Sequence, residues 1–196
     1  MIKALMLLFK PFDNWDRIAR AQRGVAWILV FYLLPLLALS IGGELLGLNY
    51  LGRHPEMGRI IRVTPKLLAA YGAARFICDM LVVFIGAKLV KMVAETFHTR
   101  HNYTQGFTVA AYGLGPYFLL QLLNAFPAIN PWVSFGIGIA LTWSVLYLGV
   151  PRVFQPDPPH AFGLYLMSAI LLASICGLAR LLTLLVLHGK IRIPGW

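Results

Sequence analysis

Long apolar runs separated by short polar segments make up most of the chain. Residues 25–43 form one run without charge, and the whole stretch from 102 to 151 contains no Asp, Glu, Lys or Arg. A membrane-spanning helix needs about 20 mostly apolar residues, so the second stretch is long enough for two spans. The complete pattern predicts five spans, at about residues 25–43, 67–87, 107–123, 132–149 and 162–187.

Two of the five predicted spans contain charge. The second carries Arg75 and Asp79, and the fifth carries Arg180 near its end. Arg75 and Asp79 stand four residues apart and therefore lie on one helix face, together with Gly72 and Gly86, which indicates that the charges point into the bundle. An ionisable side chain inside a membrane is a functional hypothesis by default. The pair is either an intramembrane polar site or proton path, or a buried ion pair that stabilises the bundle or its contact with a partner subunit.

Proline and glycine interrupt the first and third predicted spans. Pro116 lacks a backbone donor, and its ring clashes with the carbonyl four residues back, so the helix must bend or break there. Gly113 and Gly115 ease this bend, and Pro35 predicts a similar bend in the first span. Bent helices can leave cavities, although the polar groups near a bend can also simply bond across helices. The candidate lining residues are Tyr112, Tyr117 and Gln121.

Basic residues predict how the chain is oriented. Residues 1–10, MIKALMLLFK, place Lys3 and Lys10 around an apolar core that is too short for a signal peptide. This pattern predicts a short N-terminal interfacial helix in the headgroup layer. The basic cluster before the first span predicts a cytoplasmic N-terminus and, with five spans, a C-terminus outside. The excess of 17 Lys and Arg over 7 Asp and Glu is typical of contacts with anionic membrane lipids and does not imply nucleic-acid binding.

Composition agrees with the hydropathy pattern. Of the 196 residues, 59% are hydrophobic and only 12% are charged. A soluble domain usually has about 25% charged residues, and no soluble fold could hide this much apolar surface. The sequence therefore predicts a single all-α membrane domain over residues 1–196, a five transmembrane helix bundle.

Few residues suggest catalytic or metal chemistry. Glu95, His98 and His101 follow one another at three-residue steps and form a weak candidate metal site without a fourth ligand. Cys78 and Cys176 both lie within predicted spans, where free thiols behave as small apolar residues. Signatures for hydrolysis or nucleotide binding are absent, and no predicted span has a mid-depth histidine to hold a haem. Neither enzymatic activity nor a cofactor is expected.

Two stretches of the chain resemble a known family. "KPFDNWDRIARAQRGVAWILVFYLLPLLALSIGGEL" is similar to the first span of bacterial members of the Yip family of five-span membrane proteins, where Pro, Trp and a basic stretch precede a span that contains Pro and ends in Ile-Gly. "GFTVAAYGLGPYFLLQLLNAFPAINPWVSFGIGIALTWSVLYLGVPRVF" resembles the third and fourth spans of that family. The matching positions are Tyr112, Gly113, Pro116, Pro127, Tyr147, Gly149 and Pro151.

The resemblance implies a five-helix bundle with a cytoplasmic N-terminus in a bacterial inner membrane. Eukaryotic members bind Rab-type GTPases through a long cytoplasmic N-terminal region, whereas this chain has only residues 1–24 before its first span, so GTPase binding is not expected. Three functions remain open. The chain is a scaffold that organises protein or lipid partners, an accessory subunit of a larger membrane complex, or a small transporter or channel that uses Arg75 and Asp79.

Overall fold

Helices joined by short connections form the described part of the chain. The computed structural model describes residues 11–52, 63–97, 102–126 and 128–187, and these ranges contain no strand. The predicted all-α architecture is confirmed for these residues. The helices are α1 (Pro11–Ala21), α2 (Val25–Tyr50), α3 (Pro65–Thr96), α4 (Tyr103–Ala125), α5 (Pro131–Phe154) and α6 (Pro158–Leu187).

Four helices in these ranges are long and apolar enough to cross a membrane, namely α2, α4, α5 and α6. They cover four of the five predicted spans, and each extends beyond the predicted bounds. The remaining predicted span falls within α3, which carries Arg75 and Asp79 and is not among the four. The fifth span therefore stays a prediction. The predicted interfacial helix lies in the first ten residues, outside the described residues.

A proline affects the geometry of α2 without ending it. The helix contains a π-helical turn over Leu29–Leu33, directly before Pro35 in the segment Leu34–Tyr50. A π turn shifts the backbone carbonyls by one residue, and this shift makes room for the proline ring. The first span thus has an irregular turn where the sequence predicts a bend.

A one-residue interruption divides α4 at Leu114. The helix runs over Tyr103–Gly113 and resumes over Gly115–Leu120. Pro116 lies in the first turn of the second segment, where no helical hydrogen bond needs its missing N–H. The helix then ends in a 3-10 turn at Gln121–Ala125.

The centre of the bundle is occupied by α4. In an 18-residue apolar stretch of α4, 78% of the residues are buried, whereas the corresponding share is 39% in each of α2, α5 and α6. Those three helices therefore present large apolar outer faces, as helices in contact with lipid do. The long helix α3 runs beside α4, since the Tyr103 hydroxyl donates a hydrogen bond to the Phe84 carbonyl at 3.3 Å.

Glycines allow the helices to approach at backbone distance. A β-carbon on Gly106 in α4 would lie 2.5 Å from the carbonyl oxygen of Ala87 in α3. A β-carbon on Gly47 in α2 would overlap the backbone of Ala125 at the end of α4. Close packing at small residues is the usual basis of helix association in membranes, where lipid provides little hydrophobic driving force. The bundle is therefore tightly fitted at these two crossings.

The short helix α1 lies across one end of the bundle. Its Trp15 is fully buried, and the ring packs directly on Gly149 near the end of α5. Asp16 accepts a hydrogen bond from Arg152 Nε at 2.9 Å. The connection to α2 turns at Gln22, whose φ of 38° is in the left-handed region. Helix α1 is thus held to α5 by an apolar contact and an ion pair.

Candidate functional site

Five polar side chains meet in the interior of the bundle, between α2, α3 and α6. Each residue is at most 3% exposed, although the surrounding helices are apolar. Buried ionisable groups in a membrane bundle are rare and usually paired, and they commonly mark functional positions. We call this group the buried charge cluster, and it consists of Glu44, Tyr71, Arg75, Asp79 and Arg180.

Glu44 is at the centre of the buried charge cluster. Its Oε1 accepts a hydrogen bond from the Tyr71 hydroxyl at 2.7 Å and one from each terminal nitrogen of Arg180 at 3.4 Å. Arg180 Nη1 also donates to the Tyr71 hydroxyl oxygen at 3.3 Å. Arg75 Nη1 lies 3.6 Å from Glu44 Oε2. A single carboxylate of α2 therefore links α3 and α6.

A second ion pair completes the cluster within α3. Arg75 Nε donates a hydrogen bond to Asp79 Oδ2 at 2.9 Å. With both carboxylates ionised, the two arginines and two acids carry no net charge. Because an unpaired charge is very costly to bury, this balance is what allows the group to lie in an apolar interior.

The hydrogen bonding of the cluster is incomplete. Arg75 Nη1 and Nη2, Arg180 Nε and Glu44 Oε2 are buried and form no hydrogen bond with a residue in the described ranges. The buried charge cluster thus has donor nitrogens and an acceptor oxygen that the hydrogen bonds among its five residues do not use. Chemically, such a group can brace three helices, and it can also exchange a proton or hold a small polar species.

The amino-acid sequence matches one protein-family model over most of its length. The family model described as the Yip1 domain matches residues 5–181, which include every member of the buried charge cluster and all of α1 to α5. The chain belongs to the Yip family. A search of curated proteins returns no match, and a search of solved structures returns none either.

Family membership and the apolar helices together indicate an integral membrane protein. The Yip family is not a known enzyme family.

The sequence pattern of this Yip family chain predicts part of the buried charge cluster. It paired Arg75 with Asp79, and the structure places these two side chains together. It missed Glu44, because the predicted first span ends one residue earlier, and it missed Tyr71. Arg180 gave the available signal, since an arginine at membrane depth requires a buried anion, and Glu44 adjoins the predicted first span.

Most positions that carry the Yip resemblance are packing positions. The Tyr112 ring lies edge-on to Trp15, with 6.5 Å between ring centroids. Gly149 accommodates the Trp15 ring, and Gly113 faces a leucine side chain of α5. Tyr147 differs from these, since it is 56% exposed on the outer face. These positions therefore explain how the helices fit rather than a chemical activity.

Two of the three predicted lining residues are used in packing. Gln121 Oε1 accepts a hydrogen bond from Asn124 Nδ2 at 3.4 Å, and Ser134 Oγ donates to Asn124 Oδ1 at 2.5 Å. The Asn124 amide thus joins the end of α4 to the start of α5. Tyr117 is buried and packs edge-on to Phe135 at 6.0 Å. The hydrogen bond of Gln121 stays within the end of α4, and its neighbour Asn124 makes the cross-helix bond to Ser134.

The weak metal candidate is only partly within the described residues. Glu95 is bound to Lys91 at 3.3 Å on the surface of α3, whereas His98 and His101 lie outside the described residues. In the ranges that are described, no group of three or more His, Cys, Asp or Glu is arranged to hold a metal ion. Cys78 and Cys176 are free thiols.

Proposed function

We propose that this Yip family chain is a non-catalytic scaffold of a bacterial inner membrane that organises protein or lipid partners. The buried charge cluster is the observation that carries this proposal. Its charges bind one another and join α2, α3 and α6, so the polar interior holds the bundle together. A protein built in this way acts through a fixed outer surface, which is what a scaffold presents to its partners.

The proposed bundle has five spans, with α3 as the fifth. Helix α3 has 32 residues. At 1.5 Å per residue it is about 48 Å long, more than the ~30 Å hydrocarbon core of a bilayer. Its first half packs beside the end of α2, where Gly72 meets Leu45. Phe97, the residue that follows α3, packs beside His160 at the start of α6. A helix that packs along the full length of membrane-spanning neighbours is expected to span the membrane as they do.

This topology supports a cytoplasmic N-terminus and a C-terminus outside. With α3 as a span, the residues of α1, the start of α4 and the end of α5 all lie at one membrane face. Arg17, Arg20, Arg23 and Arg152 are then on the same side, as the positive-inside rule expects for the cytoplasm. We include residues 1–196 in one Yip-like domain on this basis.

The size and composition of the native particle test the scaffold role. The untagged protein is extracted from its own membrane in mild detergent, and its companions are quantified by mass spectrometry. We expect a partner protein or a defined set of lipids at a constant molar ratio to the chain. Companions that form a complex with an activity of its own would identify the chain as an accessory subunit. A particle with neither protein nor lipid companions contradicts the proposal.

A matched pair of variants makes this test specific. Glu44→Gln weakens the cluster that fixes the outer surface, so it should release the companions. Lys91→Gln removes a charge from an exposed pair of α3 whose side chains are 33% and 49% exposed, and should retain them. Equal loss of companions from both variants would contradict the idea that the buried charge cluster fixes the surface that binds them.

A small transporter or channel is the second candidate. The observation that favours it is the set of buried atoms that form no hydrogen bond with a described residue, above all Arg75 Nη2 and Glu44 Oε2. In proteoliposomes with a pH-sensitive dye, this candidate predicts a proton flux that Asp79→Asn abolishes while circular dichroism shows a folded bundle. Absence of flux in the unmodified protein, or unchanged flux in Asp79→Asn, contradicts it.

A further inference from the structure

A cavity of about 220 Å³ lies between α1, the start of α2 and the first half of α4. It is far larger than the ~30 Å³ that one water occupies in the liquid. Isoleucine and alanine side chains of α1 and α2 form its apolar wall. We call it the arginine cavity, and its polar lining consists of Asn14, Arg17, Arg23, Thr108 and Tyr112.

The arginine cavity is positively charged. Among the described residues, no Asp or Glu contributes to its lining, and neither Arg17 nor Arg23 forms an ion pair. Of the two carboxylates of α1, Asp16 is bound to Arg152 at 2.9 Å, and Asp13 has no ion pair in the same ranges. Two guanidinium groups therefore border one small volume whose described lining contains no anion. The two carboxylates of α1 line an adjacent pocket, which Arg17 also borders. An anionic ligand would supply the missing charge.

One guanidinium of the arginine cavity, that of Arg23, is held in position, whereas Arg17 is exposed. The guanidinium of Arg23 stacks on the Trp27 ring, 3.5 Å from its centroid, so the ring covers its flat face while the N–H edges stay available. Tyr112 is 1% exposed, and its hydroxyl forms no hydrogen bond with a residue that the structure describes. Thr108 already donates its hydroxyl proton to the Thr104 carbonyl at 2.7 Å. The donors available to a ligand thus come from two arginines and one tyrosine.

The position of the cavity indicates the source of the anion. Trp27 is half-buried in the first turn of α2, and tryptophan is enriched where a span meets the headgroup layer. One turn further along α2, Phe31 is 64% exposed, as expected for a side chain in lipid. The arginine cavity therefore lies at headgroup depth in the proposed topology. Phosphate is the anion of this layer, and its oxygens match the forked donors of arginine.

We propose that the arginine cavity binds the phosphate group of an anionic membrane phospholipid, with Arg17, Arg23 and Tyr112 donating to its oxygens. The proposal deepens the scaffold function, because it names a lipid partner, and it rests on the proposed topology. The bound headgroup would connect α1 to α2 and α4. Occupancy by lipid therefore stabilises the docked position of α1.

Calorimetric titration of the purified full chain in detergent tests the site. The probes are short-chain phosphatidylglycerol, phosphatidylcholine with the same acyl chains, and inorganic phosphate. We expect saturable binding of one phosphatidylglycerol per chain, about tenfold or more tighter than either other probe, because two arginines without an ion pair in the described ranges line the cavity. Equal affinity for phosphatidylglycerol and inorganic phosphate would overturn the assignment to a lipid. Equal affinity for both lipids would overturn the charge selectivity on which the proposal depends.

Two sets of variants locate the binding. Arg17→Gln with Arg23→Gln should weaken phosphatidylglycerol binding about tenfold or more. The control, Arg20→Gln with Lys88→Gln, removes the same charge from residues outside the lining and should bind normally. An equal loss in both pairs would overturn the site.

Tyr112→Phe keeps the aromatic ring and removes only the hydroxyl, so it should weaken binding several-fold without a change in charge. It serves as the second test if the double variant fails to fold, and unchanged affinity in Tyr112→Phe would overturn the tyrosine's part. A chain extracted with neither protein nor lipid companions can still bind added phosphatidylglycerol at this site, and a chain that keeps protein companions can fail to bind it. Failure of the scaffold role and failure of the lipid site are therefore distinguishable.

Discussion

At the scale of single residues, Glu44 determines whether the other charges can stay buried. It accepts hydrogen bonds from Tyr71 and Arg180, and it lies 3.6 Å from Arg75. Without its charge, two guanidinium groups would face one carboxylate, that of Asp79. An uncompensated buried charge is among the most destabilising features that a single substitution can create.

We predict that Glu44→Gln lowers the free energy of unfolding by about 3 kcal/mol or more, because it leaves a buried arginine uncompensated. The measurement is unfolding of the detergent-solubilised protein, followed by tryptophan fluorescence. Lys91→Gln is the control, since its pair with Glu95 is partly exposed and contributes at most about 0.5 kcal/mol. Equal effects of the two substitutions would disprove the central role of Glu44.

Restoring the charge balance should restore much of the stability. We predict that Glu44→Gln combined with Arg180→Met is more stable than Glu44→Gln alone, because the second substitution removes the uncompensated charge. The same unfolding measurement on the single and double variants gives the coupling energy between the two positions. Additive losses would show that the two residues do not act as a pair.

At the scale of helices, backbone contact and the docking of α1 determine how the elements fit. Gly47 allows α2 to touch the backbone of α4 at Ala125, so the contact does not tolerate a β-carbon. Trp15 holds α1 against α5, because its ring packs directly on Gly149. Both contacts involve parts of the chain far apart in sequence, and each depends on the size of one side chain.

We predict that Gly47→Ala destabilises the bundle by about 1–3 kcal/mol or more, because the new methyl group must displace backbone atoms of Ala125. Gly42→Ala is the matched control, since no atom lies within 4 Å of a β-carbon at that position. It lies on the same helix and should be neutral or slightly stabilising, because alanine favours helix more than glycine does. Thermal unfolding in detergent compares the two, and similar melting temperatures would contradict the close approach.

We predict that Trp15→Ala releases α1 from the bundle. Removing a buried aromatic side chain costs about 3–5 kcal/mol, enough to raise the open population of α1 about a hundredfold or more. Limited trypsin digestion should then cleave faster at Arg17 and Arg20. Phe12→Ala is the control, since Phe12 is 57% exposed, and its digestion should match the unmodified chain. Unchanged cleavage in Trp15→Ala would mean that α1 is held by other contacts.

At the scale of the whole molecule, the number of spans determines which surfaces face each side of the membrane. Four helices qualify as spans by length and composition, and α3 would be the fifth. If α3 crosses, the start of α5 is outside and the connection between α5 and α6 is cytoplasmic. If α3 does not cross, these two positions exchange sides, because every later helix is inverted.

We predict that α3 crosses the membrane and that accessibility of introduced cysteines follows the five-span topology. In a background with Cys78 and Cys176 replaced by Ala, single cysteines are placed at the exposed positions Ala128 and Asp157. An impermeant maleimide added to sealed, right-side-out vesicles should label position 128, whereas position 157 should react only after permeabilisation. The opposite pattern would contradict the five-span topology with a cytoplasmic N-terminus.

The amino-acid sequence by itself determined the features that depend on residues close together in the chain. Span positions depend on about 20 consecutive apolar residues, and the break near Pro116 depends on one turn of helix. The pairing of Arg75 with Asp79 depends on their four-residue spacing in one helix.

Only the tertiary structure decided the features that need several helices at once. Glu44 and Arg180 are 136 positions apart, and nothing in their local sequence determines that they meet. The contact of Gly47 with Ala125 depends on how two helices are placed relative to each other, which no local sequence pattern predicts. The burial of Trp15 depends on helix placement in the same way. Local geometry follows from neighbouring residues, whereas the buried charge cluster and the arginine cavity exist only where separate helices are packed together.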